Sequence, residues 1–333
     1  MKEKTIQIEN SYLSPYAKKS SETVGRKREE DACPMRTDFQ RDRDRIIHCK
    51  AFRRLKNKTQ VFISPEGDHY RTRLTHTLNV SQVARAIARA LSLNEDLTEA
   101  IALGHDLGHT PFGHSGERIL NKLNPVGFEH NKQSGRVVEV LENGGLGLNL
   151  TGEVVDGIIN HKMSCTPKTL EGEAVSIADR IAYLNHDIDD AVAGGFISVS
   201  DLPKQAIEVL GETSSKRINA MVYSIFKKSD GKAKVEMEES VALATKILRD
   251  FMFERVYNQK ALKDEEERAD RMISALYEYY KKNLSNLPEY YIKRLDTDDL
   301  DTVLCDYISG MSDGYVVKKF NQIFVPKNWK LFS

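Results

Sequence analysis

Apolar residues recur along much of the chain at the spacing of an amphipathic helix. Five of them between positions 74 and 91 share this spacing: Leu74, Leu78, Val83, Ile87 and Leu91. They predict one helix, and Asn94, a favoured N-cap residue, predicts a second over 94–107 that ends at Gly108. Similar patterns predict helices over 129–142, 153–161, 173–193, 238–257, 265–282 and 299–320.

Alternating strand patterns are few. The best short candidate is TQVFIS at 59–64, and the chain shows no internal repeat or heptad pattern. The first 35 residues are polar, and we expect them to be loosely structured. The sequence therefore predicts an all-α fold that is mostly helical, with at most a short β-hairpin.

The composition gives no global attraction to nucleic acid or to anionic membranes. The 333 residues include 49 Lys plus Arg and 49 Asp plus Glu, so the formal net charge is zero. The four cysteines are scattered without a CxxC pair, which is typical of free thiols in a reducing compartment. The start, MKEKTIQIEN, has no apolar signal core, and no apolar run approaches a membrane span. We therefore expect a cytoplasmic protein without a membrane partner.

Residues 36–58 form a strongly basic segment with an apolar stripe. Most segments of this kind are solvated amphipathic helices. The density of arginine makes phosphate binding a second interpretation. Because net charge does not describe local charge, the segment also keeps single-stranded nucleic acid open as a partner, with weak support.

The densest chemistry lies in residues 104–117, GHDLGHTPFGHSGE. Three histidines, an aspartate and a glutamate occur there among four glycines and a proline. A polar surface loop is one interpretation; the other is the floor of a metal-dependent hydrolase site. His105 and Asp106 are adjacent just before the helix stop at Gly108, and near a helix end both side chains can reach one ion.

Two further residues suit the same ion. His76 lies on the predicted helix 74–91 among apolar neighbours. Asp179 lies on a largely apolar helix, where a charged carboxylate is costly unless it is paired or bound to metal. A structural histidine or a paired carboxylate is the alternative for each residue alone. Two imidazoles and two carboxylates together suit a divalent cation such as Mn²⁺, Mg²⁺, Fe²⁺ or Ni²⁺.

Longer motifs connect these residues to a known family. They are FQRDRDRIIHCKAFRRLKNKTQVF (39–62), RLTHTLNVSQVAR (73–85), GHDLGHTPFGHSGE (104–117), FEHNKQSGR (128–136), TLEGEAVSIADRIAYLNHDIDDA (169–191) and DYISGMSDGYVV (306–317). With them the chain resembles the HD-domain superfamily of metal-dependent phosphohydrolases, and within it the deoxyguanosine triphosphate triphosphohydrolase-like proteins. We expect an N-terminal extension (1–35), an HD-domain core (36–200) and a helical C-terminal part packed on that core (201–333).

The resemblance implies catalytic roles residue by residue. The metal ligands would be His76, His105, Asp106 and Asp179. His114 and Glu117 match the family's catalytic pair, and their spacing of three places them on one face of a helix that begins near Ser115. His109 matches a catalytic position close to the α-phosphate. His130 matches a histidine that lines the pocket, with a surface histidine at a helix start as the alternative.

The resemblance also implies substrate contacts, from Arg73 one turn before His76 and from the helix that carries Asp179. Arg73 and Arg180 match positions that contact phosphates. Tyr183 matches a tyrosine packed against the deoxyribose, and Asp187 matches a residue that accepts a hydrogen bond from the sugar 3′-OH. An ordinary amphipathic helix with i,i+4 polar pairs is the alternative.

The basic segment contributes weaker candidates. Arg53 and Lys56 are candidates for phosphate binding, and Asn57 is a candidate either for reading the base or for capping a helix.

The implied reaction is metal-dependent hydrolysis of dGTP and other dNTPs to a deoxynucleoside and inorganic triphosphate. Family members are commonly homo-oligomers, often hexamers, and some respond to a nucleotide activator at a second site. One alternative is an HD phosphohydrolase acting on a nucleoside monophosphate or on a cyclic or alarmone nucleotide. The other is a nucleotide sensor or single-stranded nucleic-acid binder that has kept the fold.

Overall fold

The computed structural model describes residues 1–60 and 71–326. Within these ranges the α-helices are α1 (Lys2–Tyr12), α2 (Asp38–His48), α3 (Lys50–Arg54), α4 (Arg73–Ala90), α5 (Glu95–Gly104), α6 (Gly113–Leu123), α7 (His130–Arg136), α8 (Gly152–Ile159), α9 (Leu170–Ala193), α10 (Lys204–Leu210), α11 (Ser214–Ser229), α12 (Glu239–Met252), α13 (Lys260–Lys282), α14 (Glu289–Arg294), α15 (Leu300–Ser309) and α16 (Asp313–Phe324). The described residues form no strand, only two isolated bridges, one of which joins Thr59 to Thr72. The predicted all-α fold is confirmed.

Two local predictions were wrong. The first 35 residues are not loosely structured, because α1 lies there and its buried Glu9 accepts hydrogen bonds from the backbone N and the Oγ of Ser20 (2.7 and 2.6 Å). The segment 299–320 is two helices, since the chain turns at Gly310 before α16 begins. Most of the strand candidate, residues 61–64, lies outside the described residues.

The larger hydrophobic core is built around α4. This helix packs on α5 on one side and on α9 on the other, and its Val80, Ala84 and Ile87 are fully buried. Alanines of α9 at the buried positions 174, 178 and 182 allow the helices to approach closely. Full burial of an aliphatic side chain such as Ile87 contributes about 1.5–3 kcal/mol.

A second, smaller cluster of buried residues joins α6 to the C-terminal helices. It contains Phe112 and Leu120 beside Ile273 and Tyr277 of α13 and Ile308 of α15. A cavity lies where the two clusters meet, because its walls include Phe112 from the smaller cluster and residues that pack against the larger one. The chemistry-bearing side chains converge on this cavity.

The basic segment is largely neutralised by intramolecular ion pairs. Arg36 pairs with Asp44, Arg43 with Asp96 and Glu99, and Arg41 and Arg45 with Glu30. This pairing weakens the interpretation of residues 36–58 as a nucleic-acid surface. None of the helices in the described ranges is both long and apolar enough to cross a bilayer.

Candidate active site

The helix ends of α4 and α5 bring the first candidate ligands together. A capping box at the start of α4, in which Thr72 and Thr75 bond each other's backbone N–H, places Arg73 and His76 in the first helical turn. His105 and Asp106 follow directly after α5, and Asp179 comes from the middle of α9. All but Asp179 are at most 3% exposed.

These candidate ligands have the geometry of a metal site. His76 Nε2 lies 3.1 Å from Asp179 Oδ1, and His105 Nε2 lies 3.6 Å from Asp106 Oδ1 and 3.9 Å from Asp179 Oδ1. Donor atoms that each lie about 2.1 Å from one ion are about 3–4 Å apart, so the spacing fits. His76, His105 and Asp106 also each offer a donor atom within 4.8 Å of the others.

The tautomer of His105 supports the same interpretation. Its Nδ1 lies 2.6 Å from the Ala102 carbonyl oxygen, which can only accept, so Nδ1 carries the proton. The Nε2 lone pair then faces the carboxylates, and this buried atom has no hydrogen-bond partner among the described residues. A buried polar atom without a partner is costly, and a metal ion bound to Nε2 would satisfy it. The hydrogen bond from Nδ1 to a backbone carbonyl is the usual support for a histidine that binds a metal.

Both carboxylates of the cluster are held in their charged form. Burial raises the pKa of Asp106, but electrostatic attraction to its basic neighbours, the guanidinium of Arg73 among them, outweighs burial, and the pKa lies well below its usual range. Burial likewise raises the pKa of Asp179, but its contact with His76 Nε2 outweighs burial and lowers the pKa below its usual range. Charged carboxylates beside neutral imidazole nitrogens form a donor set suited to a divalent cation.

Glu117 lies at the centre of a second cluster of polar side chains, beside the candidate metal ligands. Its Oε2 is 2.9 Å from His130 Nδ1 and 3.4 Å from His114 Nδ1, and its Oε1 accepts from Lys162 Nζ at 3.2 Å. Burial raises the pKa of Glu117, but the hydrogen bonds from His114 and His130 lower it to well below its usual range. The predicted pair of His114 and Glu117 is therefore in contact, and Glu117 serves His130 as well.

The two histidines of this group have different surroundings. The His114 side chain is 72% exposed and lines the cavity, so it is accessible to a ligand. His130 is 7% exposed, and the alternative of a surface histidine is therefore wrong. His109 stacks on His130, with ring centroids 4.6 Å apart.

His109 and Arg73 lie between the metal candidates and His114. Both ring nitrogens of the buried His109 have no partner among the described residues. Burial and the charge of Arg73 lower the pKa of His109 well below its usual value, so the ring is neutral. Arg73 donates from Nη1 to Asp106 Oδ2 at 2.8 Å, while its buried Nε is unpaired within the described ranges. Unsatisfied groups on one cavity wall indicate a polar ligand.

The cavity wall also carries Tyr183 and Asp187. Tyr257 donates a hydrogen bond to Asp187 Oδ2 at 2.5 Å, and the described residues offer the buried Asp187 Oδ1 no partner. Burial raises the pKa of Asp187 to about 7, against the opposing hydrogen bond from Tyr257. The cavity has a volume of about 640 Å³.

Most of the predicted site residues therefore line one cavity, but six do not. The residues on its walls are Arg73, His76, Asp106, His109, His114, His130, Asp179, Tyr183 and Asp187. His105 and Glu117 lie directly behind the wall. Arg53, Lys56 and Asn57 are exposed on the segment before residue 60, and Arg180 is half-buried beside Asp179; none of these four is among the described lining residues.

Comparisons with known proteins agree with this geometry. The HD domain model matches residues 73–184 and the phosphohydrolase-associated domain model matches residues 235–322. A deoxyguanosinetriphosphate triphosphohydrolase-like protein of Caldanaerobacter subterraneus is 57% identical over 99% of this chain and 97% of its own. A protein of the same name from Clostridium perfringens is 49% identical over 98% of both chains.

The chain belongs to the deoxyguanosinetriphosphate triphosphohydrolase-like family of HD-domain proteins. A crystal structure of a hypothetical protein from Aquifex aeolicus matches 85% of this chain and 71% of its own, with a TM-score of 0.50 and 23% identity. At that identity the match shows the fold alone. Both family models cover site residues, since 73–184 includes all four candidate metal ligands.

Several residues of the site were not predicted from the sequence. His161 and Lys162 lie shortly after α8, and Tyr257 follows α12; all three line the cavity. Lys58 is 2% exposed and donates from Nζ to the carbonyl oxygens of His109 and Ser309. Burial lowers the Lys58 pKa to about 7. The signal for His161 was a pair of basic residues, His161 and Lys162, shortly after an apolar helix.

Asp313 holds the loop in front of α6. Its Oδ1 accepts from the backbone N of Phe112 at 3.0 Å, and its Oδ2 accepts from the backbone N of Thr59 at 2.8 Å. Phe112 has φ of 57°, a left-handed conformation that is unusual for a bulky residue and needs support from its surroundings. Asp313 lies in the motif 306–317, but only the folded chain places it beside this loop.

Gly108 is required where α7 crosses the turn that carries His105 and Asp106. A Cβ at this position would lie 2.1 Å from Ser134 N and 2.3 Å from Gln133 C, both backbone atoms. We expect Gly108→Ala to lower the free energy of unfolding by about 3 kcal/mol or more, because backbone cannot yield as a flexible side chain does. Urea unfolding followed by circular dichroism measures the change.

Gly314 supplies the matched control. It lies in α16, and a Cβ there would meet no atom within 4 Å. Gly314→Ala is expected to change the free energy of unfolding by at most about 1 kcal/mol, in the stabilising direction. Equal unfolding midpoints for the two variants would contradict the role given to Gly108.

Proposed function

We propose that the protein hydrolyses deoxynucleoside triphosphates to a deoxynucleoside and inorganic triphosphate. The observation that carries the proposal is the convergence, on one cavity, of the His–Asp cluster, the pair of His114 and Glu117, and the wall formed by Tyr183 and Asp187. The curated relatives bear the name deoxyguanosinetriphosphate triphosphohydrolase-like, which supports a nucleotide of this class.

A divalent metal ion held by His76, His105, Asp106 and Asp179 would supply Lewis-acid polarisation of the α-phosphate and of a water molecule. On the basis of the donor set, the ion would be Mn²⁺, Mg²⁺, Fe²⁺ or Ni²⁺.

The residues of the chain itself would bind the phosphates and handle the proton. Arg73 Nε and the neutral His109, both unpaired in the described structure, face the position of the phosphates and would donate to their oxygens. His114, held by Glu117, would donate a proton to the departing 5′ oxygen or position the attacking water. Water attacks the α-phosphorus, the bond to the 5′ oxygen breaks, and no covalent enzyme intermediate forms.

The part of the cavity wall that carries Tyr183 and Asp187 would bind the sugar. Asp187 Oδ1 is buried and unpaired in the described structure, so it would accept a hydrogen bond from the 3′-OH. Tyr183 lies one helical turn before Asp187 and would pack against the deoxyribose. Here a 2′-hydroxyl would be crowded, which favours deoxynucleotides. The predicted homo-oligomer and the second-site nucleotide activator stay predictions.

Product analysis tests the proposed function directly. The purified protein is incubated with each dNTP and with GTP, singly and mixed, in Mg²⁺ or Mn²⁺, and the products are separated by anion-exchange chromatography. We expect a deoxynucleoside and inorganic triphosphate. Pyrophosphate or single phosphate as the product would refute the proposed reaction, and hydrolysis only in the mixtures would support an activating nucleotide site.

A further inference from the structure

His161 occupies a buried position between the two polar groups of the site. It lies just after the C-cap residue of α8, is 2% exposed, and lies edge-on to His105 with ring centroids 5.1 Å apart. Its other ring contact is His130, at 5.3 Å between centroids. His161 therefore connects the metal candidates to the group around Glu117 without belonging to either.

A chain of hydrogen bonds runs from the Ile158 carbonyl through His161 and His130 to Glu117, and the acceptors at its two ends fix which atoms donate. His161 Nδ1 lies 2.7 Å from the Ile158 carbonyl oxygen, which can only accept, so Nδ1 carries a proton and donates it. In a ring that is buried and neutral, Nε2 then holds a lone pair. This lone pair faces His130 Nε2 at 3.2 Å, so His130 is the donor of that hydrogen bond.

His130 also donates at its other nitrogen. Its Nδ1 lies 2.9 Å from Glu117 Oε2, and the Oε1 of the same side chain accepts from Lys162 Nζ and from the backbone N of His130 (3.2 and 3.0 Å). The ion pair with Lys162 and the lowered pKa of Glu117 keep this side chain a carboxylate. The ring of His130 thus donates to two acceptors, Nε2 of His161 on one side and the carboxylate of Glu117 on the other. Its orientation depends on both partners, and it shares Oε2 of Glu117 with His114.

We propose that His161 is a positioning residue for the proposed reaction: through the hydrogen bond that its Nε2 accepts, it holds His130 against Glu117 and thereby keeps Glu117 oriented toward His114. Loss of this acceptor leaves a buried N–H of His130 without a partner and frees the ring to turn. The inference rests on the proposed function, because its kinetic effect is read through His114.

Two amide variants separate the two hydrogen bonds of His161. In His161→Asn the amide takes the place of Nδ1 and can still donate to the Ile158 carbonyl, but it does not reach His130. In His161→Gln the amide takes the place of Nε2, so its oxygen can accept from His130. We expect His161→Asn to lower kcat about 10–100-fold and His161→Gln to recover most of it, with metal content and KM close to wild type in both.

The exposed His48 provides the control, and His48→Asn is expected to leave kcat, KM and metal content unchanged. Equal kcat values for the Asn and Gln variants of His161 would overturn the proposal, and so would loss of metal from both. The second result would give His161 a structural role beneath His105 instead.

Nitrogen-15 NMR of the histidine rings, at one pH near neutrality and with Mg²⁺, tests the contact independently of turnover. We expect His130 to show protons on both ring nitrogens and His161 to show one on Nδ1, with the His130 signals shifted in His161→Asn. Unchanged His130 signals in that variant would refute the contact. If wild-type protein hydrolyses no dNTP while these signals appear as expected, the proposed function fails and the position of His161 stands.

Discussion

Replacement of His114 by alanine is expected to lower kcat for dNTP hydrolysis by about 10²–10⁴-fold, the usual contribution of a group that transfers a proton in the transition state. Metal content and dNTP affinity should stay close to wild type, because His114 is not among the candidate metal ligands. Its side chain is 72% exposed, so the free energy of unfolding should change by no more than about 0.5 kcal/mol.

Three measurements on the purified variant check this expectation: single-turnover kinetics, calorimetric titration with a dNTP, and elemental analysis for the metal. His48→Ala removes another exposed imidazole outside the site and is expected to behave as wild type. Normal turnover by His114→Ala would refute its assignment. A matching loss of dNTP affinity would instead assign His114 to ground-state binding.

Replacement of Asp106 by alanine is expected to abolish metal binding and, with it, turnover. Asp106 supplies a charged carboxylate 3.6 Å from His105 Nε2, so its loss removes a negative ligand from the cluster. The change also leaves the guanidinium of Arg73 buried without its partner at 2.8 Å. Removing one member of such a buried pair costs about 3–5 kcal/mol of stability.

The variant Asp106→Asn separates the effect on metal binding from the effect on folding stability. Its side chain keeps the shape of aspartate and an oxygen that can accept from Arg73, so we expect a folded protein with strongly reduced metal content by elemental analysis. Asp230→Asn, at an exposed aspartate outside the site, is the matched control. A full metal complement in folded Asp106→Asn and Asp106→Ala would exclude Asp106 as a ligand.

The candidate substrate contacts differ in how far their position can be read from the sequence. Arg73 lies on the cavity wall because it is one helical turn from His76 on α4, and this relation is visible in the sequence. Arg53 and Asn57 are close to the motif residues in the chain, yet both are exposed and lie away from the described cavity wall. Closeness in the sequence shows which way a side chain points only within one helix, where residues three or four apart share a face. Arg53 and Asn57 lie outside α4, so their distance from its residues does not place them on the cavity wall.

By itself, the sequence determined the helical class and indicated candidate metal ligands; the pair of His114 and Glu117 was implied by the resemblance to a known family. Each of these depends on local periodicity, on a spacing within one helix, or on residue types that suit only a few kinds of chemistry.

Only the tertiary structure decided what surrounds these groups. His161 meets His130 across 31 positions, Lys58 meets Ser309 across 251, and Asp313 reaches Phe112 across 201. Such contacts arise from how α8, α15 and α16 pack on the rest of the chain, and packing is set by the shapes of many side chains at once. The sequence contains that information, but no short stretch of it does.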